Sequence, residues 1–243
     1  MKNRQKIRKG FLLFMFFLFP ALFYYFSPVI IIQSTVKGIV NGSFVMFVVL
    51  FVSGMVLGRA WCGWVCGAGG CQEAIFLARD KKVKKGNYIK WILWVPWVSV
   101  IVILAIKAGG YTKIDFFYAT THGLSVGDLS ALIAYLVVLI VLIALPAYIF
   151  GRRSFCHHIC WMAPFLIIGR KVRNIFNWPS LKLTVKPSAC KSCHLCEKYC
   201  PMSLPVEEMV KSNRMENAEC ILCGTCVDSC PTKAIKYSFS AGK

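Results

Sequence analysis

LSALIAYLVVLIVLIALPAYIF, residues 129–150, runs without a charged residue and is followed at once by GRRSFCHHIC, residues 151–160. A bilayer's hydrocarbon core takes about 20 apolar residues as helix, so the first part predicts a membrane span. The second part leaves that span through Gly151-Arg152-Arg153, then the aromatic Phe155, then a C-x-x-x-C pair, Cys156 and Cys160. The same order occurs earlier: apolar residues 38–57, then Gly58-Arg59, Trp61, and the pair Cys62 and Cys66. Two more apolar runs cover residues 11–32 and 88–106. The reading is an α-helical membrane protein with four transmembrane helices, at about 11–32, 38–57, 88–106 and 129–150. They form two duplicated two-helix units in a membrane domain of residues 11–178. Internal repeats of this kind are common in membrane folds. Pro20 and Pro28 predict kinks in the first span, which spanning helices tolerate.

Composition agrees. Of 243 residues, 57% are hydrophobic and 16% charged, against about 45–50% apolar in ordinary globular chains. That excludes a disordered chain and argues against a soluble enzyme, which would leave large apolar surfaces wet. The net charge of +19 is bunched at span ends. Residues 1–10 carry Lys2, Arg4, Lys6, Arg8 and Lys9; the second connection carries Arg59, Arg79, Lys81, Lys82, Lys84 and Lys85; Arg152, Arg153, Arg170, Lys171 and Arg173 follow the fourth span. By the positive-inside rule, residues 1–10 form a basic cytoplasmic N-terminus and the C-terminus is cytoplasmic too. A cleaved signal peptide is the competing reading of the N-terminus, but no small-x-small cleavage site follows the long apolar run. Nucleic acid is not an expected partner. The charge sits where anionic lipid attracts it, without a nucleic-acid fold signature.

Two repeats related by an axis along the membrane normal bring Cys62, Cys66, Cys156 and Cys160 together. Four thiols at one place suit a shared [4Fe–4S] cluster or redox-active thiol pairs. The bland reading is small apolar residues in interfacial turns, which explains one pair more easily than two at matching positions. Cys71 has no counterpart in the second copy and reads as a structural thiol. His157 and His158 read as solvated interfacial residues, or as a ligand or proton carrier.

After Trp178-Pro179 the composition changes, and residues 179–243 read as a cytoplasmic α+β domain. Cys190, Cys193, Cys196 and Cys200-Pro201 form C-x2-C-x2-C-x3-C-P; Cys220, Cys223, Cys226 and Cys230-Pro231 repeat it. This is the bacterial two-cluster ferredoxin pattern, in which each tight triplet is completed by the distant Cys of the other motif. Cys190, Cys193, Cys196 and Cys230 are expected to bind one [4Fe–4S] cluster, and Cys220, Cys223, Cys226 and Cys200 the other. Two zinc ribbons are the competing reading, but zinc uses separated pairs. His194, inside the first triplet, reads as a surface residue near a cluster. No P-loop, dinucleotide fingerprint or nucleophile triad accompanies these motifs.

Taken together, four spans, two cytoplasmic C-x-x-x-C motifs and this tail resemble the NapH-type membrane ferredoxins. NosR and CcoG, also membrane proteins that bind 4Fe-4S clusters, are relatives. The resemblance runs from about residue 11 to 236. It implies two [4Fe–4S] clusters in the tail and a functional role for Cys62, Cys66, Cys156 and Cys160. It also implies a bacterial or archaeal inner membrane, and electron transfer between the quinone pool and other subunits of an oxidoreductase complex. The family motif usually continues C-x-x-x-C-P, whereas Gly67 and Trp161 follow the second cysteines here. An alternative from a different class is a redox-sensing or metal-centre assembly protein that uses the C-x-x-x-C thiols themselves.

Overall fold

The computed structural model describes residues 3–83 and 86–241; Lys2, Lys84 and Lys85, used above for orientation, lie outside them. The first apolar run folds as α1 (Asn3–Leu22), a turn of 3-10 helix (Phe23–Phe26) and α2 (Pro28–Val36). Proline has no N–H to continue a helical ladder. Here Pro28 starts α2, and Ser27 caps it by accepting from Ile30 N–H at 3.4 Å. Carbonyls around the break are met by side chains of other elements. Trp161 Nε1 donates to Phe26 O at 2.8 Å, Trp97 Nε1 to Pro28 O at 3.0 Å, and Ser125 Oγ to Ala21 O at 2.8 Å. At membrane depth no water stands in for such donors, so neighbouring elements must supply them. The helix starts at Asn3, within the stretch expected to be a separate basic terminus, and Gln5 and Arg8 are buried.

β1 (Ile39–Asn41) pairs in parallel with β2 (Lys113–Asp115) and precedes α3 (Gly42–Leu57). Asn41 caps α3 by accepting from Phe44 N–H at 2.9 Å. The second apolar run thus yields a helix of only 16 residues, about 24 Å at 1.5 Å per residue against a core of about 30 Å. Two short helices follow, α4 (Ala60–Trp64) and α5 (Gly67–Ala78), then α6 (Ile89–Lys107). The fourth run is α7 (Leu129–Val137), a π-helical stretch (Val138–Ala144) and α8 (Leu145–Phe150). The wider π turns precede Pro146, which supplies no N–H of its own. Among the described residues, three helical stretches are long and apolar enough to cross a membrane: 3–36, 89–107 and 129–150. Four spans were expected from sequence; α3, delayed by the strand, is shorter. Large apolar side chains such as Phe17, Ile92, Ile106, Leu129 and Ile140 face outward, a surface suited to lipid rather than water.

The second repeat ends in α9 (Ser154–His158) and α10 (Ala163–Phe176), an amphipathic helix packed on α3. The tail is a two-stranded antiparallel ribbon of β3 (Ser180–Val185) and β4 (Ile235–Ser240), with Leu183 opposite Tyr237. Between the strands lie α11 (Leu195–Lys198), α12 (Val206–Lys211) and α13 (Thr225–Ser229).

Candidate iron-sulfur centres

The two C-x-x-x-C turns share one backbone plan. Val65 and Cys66 N–H both donate to Trp61 O; Ile159 and Cys160 N–H both donate to Phe155 O. The second thiol of each pair accepts an N–H three residues on, from Gly69 at Cys66 and from Ala163 at Cys160. Each of these cysteines thus sits at the start of a helix, where free N–H groups and the helix dipole favour negative charge. Cys62, Cys156 and Cys160 are buried and Cys66 is partly buried. Their charges act on one another across the repeats, Cys160 with Cys156, Cys62 and Cys66, so the fold brings the four together. Burial pushes the Cys66 thiol up to about 12 and raises Cys160 well above its ordinary value. Burial also raises Cys62, although the Arg59 guanidinium beside it pulls the other way.

The fold matches Arg59 with Arg153, each two residues before the aromatic residue, and not with Arg152. Both are fully buried. Arg153 donates Nη1 to Cys62 O at 2.6 Å and Nη2 to Glu73 at 2.5 Å. Arg59 donates Nη1 to Glu219 Oε2 at 2.7 Å, and Lys90 Nζ meets the same carboxylate at 2.6 Å. Arg8 completes the set with a fork onto Glu73, both bonds at 2.8 Å. Arg59 Nε and Nη2 and Arg153 Nε have no oxygen or nitrogen partner among the described residues, while Arg59 lies against Cys62 and Arg153 acts on Cys156 and Cys66. Gln72, buried in α5, donates Nε2 to Cys156 Sγ at 3.3 Å and accepts Phe155 N–H at 3.1 Å. Sequence reasoning missed this polar shell. Its one legible signal was Lys90, a lone charge inside an apolar run.

Cys71 does not join the four; it lies toward Tyr135, and burial raises its thiol to about 11. His157 is buried, with Nδ1 2.5 Å from Asn87 Oδ1, and burial lowers its imidazole to about 3, so it is a neutral ring and not a solvated one. His158 Nδ1 meets Ser154 O at 2.9 Å. His194 is exposed and pairs with Glu207.

In the tail, Cys200, Cys220, Cys223 and Cys226 line one cavity with Met202, Leu204 and Ile221. Cys190, Cys193, Cys196 and Cys230 line another with Lys191, His194 and Thr232. Both triplet loops curl through left-handed residues at matching places: Ser192 and Leu222, then His194 and Gly224. Such turns aim successive N–H groups inward, toward an anion. The first set reaches the surface at Cys193, whereas Cys200, Cys223 and Cys226 are buried. No three His, Cys, Asp or Glu side chains among the described residues converge tightly enough for a single metal ion.

The second triplet rests directly on α4. Gly63 touches Ile221 O so closely that no Cβ fits between them. Trp64 Nε1 donates to Leu222 O at 3.0 Å and Gln5 Nε2 to Cys223 O at 3.1 Å. Gly67, at the position where the resemblance leads one to expect proline, packs on α1: a Cβ there would lie 2.8 Å from Met15 O.

The sequence profile of a 4Fe-4S binding domain matches residues 41–86 and 132–179, one C-x-x-x-C pair in each. That of a 4Fe-4S dicluster domain matches residues 189–235. An uncharacterized protein of Methanocaldococcus jannaschii is 29% identical over 238 residues, 96% of this chain and 94% of that protein. YccM of Escherichia coli, named for electron transport, is 22% identical over 209 residues, 82% of this chain and 56% of that protein. The methylamine utilization ferredoxin-type protein MauN of Methylobacillus flagellatus is 26% identical over 232 residues, 89% and 76% of the two chains. No solved structure matches. The chain therefore carries 4Fe-4S ferredoxin-type domains, and relatives bear names of electron transport and ferredoxin-type proteins.

Proposed function

We propose that the protein is a NapH-type electron-transfer subunit of a bacterial or archaeal inner membrane, passing electrons between the quinone pool and a partner oxidoreductase. In this reading α3 is a short fourth span, and both termini face the cytoplasm. Cys190, Cys193, Cys196 and Cys230 hold one [4Fe–4S] cluster, and Cys220, Cys223, Cys226 and Cys200 a second. Cys62, Cys66, Cys156 and Cys160 hold a third. Bound there, such clusters supply one-electron chemistry.

The observation that carries the third site is charge. Arg8, Arg59, Lys90 and Arg153 are buried around four thiols, and among the described residues only Glu73 and Glu219 pair with them. Buried charge is costly unless compensated. An oxidised cubane with four thiolates carries about two negative charges, which the excess of cations balances and the unpartnered Arg59 and Arg153 N–H groups can meet. Free-thiol chemistry fits less well. Reactive thiols need a lowered pKa, and burial raises Cys66 and Cys160.

Direct packing joins the three cysteine sets. The helix α11 that carries Cys196 packs on α13, which carries Cys226, and the loop of Cys220 and Cys223 lies on the α4 turn that carries Cys62. For quinone, support comes from a cavity of about 380 Å³ beside Cys200 and Cys226, with walls of Phe76, Tyr199 and Pro201 and donors at Lys9, Thr225 and Ser229. Its size suits a small ring compound.

The test is iron and acid-labile sulfide per chain in anaerobically purified protein, beside a variant with Cys62, Cys66, Cys156 and Cys160 changed to Ser. The expected result is about twelve irons falling to about eight. About eight irons in both proteins overturns the third site.

A further inference from the structure

The tail's acids are sorted by direction. Glu197 pairs with Lys82, Glu216 with Arg170 and Arg173, Glu219 with Arg59 and Lys90, and Asp228 with Arg4. All of these cations belong to the membrane part. Glu207, on the far side, is held by Lys211 and His194. The edge at the exposed Cys193 is left with Lys186, Lys191 and Lys233, all exposed. None of the three forms an ion pair among the described residues. Lys191 lines the cavity of the first cysteine set, Lys233 follows the Cys230-Pro231 turn, and Lys211 stands close enough to feel the charge of Cys190. The other cysteine sets are less open: Cys200, Cys223 and Cys226 are buried, as are Cys62, Cys156 and Cys160 of the C-x-x-x-C set.

From this we infer that the lysine-ringed edge at Cys193 is the docking surface for an acidic one-electron carrier protein. The inference rests on the electron-transfer reading above. It adds where a soluble partner engages and what charge that partner bears. A field of one sign around an exposed redox edge raises the encounter rate with an oppositely charged partner and loses that advantage in salt. In the transfer, the reduced carrier loses one electron and the protein gains one. No bond forms or breaks and no proton is required.

The experiment uses the full-length protein in nanodiscs under anaerobic conditions, with two donors followed by stopped flow: a reduced acidic [2Fe–2S] ferredoxin, and reduced methyl viologen as a small cation. A variant combining Lys186→Glu, Lys191→Glu and Lys233→Glu is compared with the parent. The expected result is that ferredoxin reduces the parent at a rate falling about tenfold or more from 20 to 300 mM salt, and that the variant is about tenfold or more slower at low salt. Viologen, a cation, is expected to reduce the variant at least as fast as the parent, which shows that the variant is folded and loaded. Equal ferredoxin rates in parent and variant, or rates indifferent to salt, overturn the docking surface. Failure of viologen to reduce the parent at all overturns the electron-transfer reading itself, and the docking surface with it.

Discussion

Gln72 shows how much a single side chain decides here. Its amide is fixed at both ends, the oxygen by Phe155 N–H and the nitrogen on Cys156 Sγ. A donor aimed at a cluster's sulfur favours the more negative, reduced state and so raises the potential. Gln72→Leu is expected to lower the potential of the centre proposed at Cys62, Cys66, Cys156 and Cys160. A hydrogen bond of about 1 kcal/mol corresponds to roughly 40 mV for one electron. An EPR-monitored redox titration reads this, and an unchanged midpoint rules out the role. Glu219 makes the opposite case, because it compensates two buried cations at once. Glu219→Gln leaves Arg59 and Lys90 facing each other and is expected to cost about 3–5 kcal/mol, seen as a fall in the thermal midpoint in detergent. At this scale the cysteine motifs were legible because their spacing is local. Gln72, Arg59 and Glu219 were not, because nothing in a sequence says which distant side chain will face a thiol.

The elements with the most consequence are the shortest ones. The duplication could be read from Gly-Arg, an aromatic residue and C-x-x-x-C, but its register could not. Two arginines follow Gly151, and only packing shows that Arg153 answers to Arg59 while Arg152 reaches Lys198 O and Cys200 O instead. The length of α3 was equally hidden, since the apolar run continues through residues that pair with β2. The α4 turn is one place where membrane part and tail meet closely. Gly63→Val is expected to lift the Leu222 loop, break the Trp64 bond and loosen the tail. Limited proteolysis between residues 179 and 189 measures this; a variant as resistant as the parent counts against α4 as the seat.

Across the whole molecule, charge joins two parts that differ in every other respect. Glu216 feels burial, which raises its carboxyl, but Arg170 and Asn174 outweigh that and lower it to about 2. Its folded value thus lies below the ordinary carboxylate value of about 4.3. The stability it contributes is present above that ordinary value and is lost as pH falls through about 2. Glu216→Gln is therefore expected to weaken tail attachment at pH 7, read by comparing the proteolysis rates of the two proteins at that pH. Much of the grip on the tail, however, is on main-chain oxygens: Gln5 on Cys223, Trp64 on Leu222, Arg152 on Cys200 and Arg170 on Asn217. Main-chain oxygens stand in the right places only when the loops around them are wound. Loops of this kind take their shape from the metal they enclose. A chain without iron in these loops is therefore expected to hold its tail less firmly. A Cys220→Ser chain is expected to be clipped at the same sites as Gly63→Val, and one clipped no faster than the parent counts against this dependence.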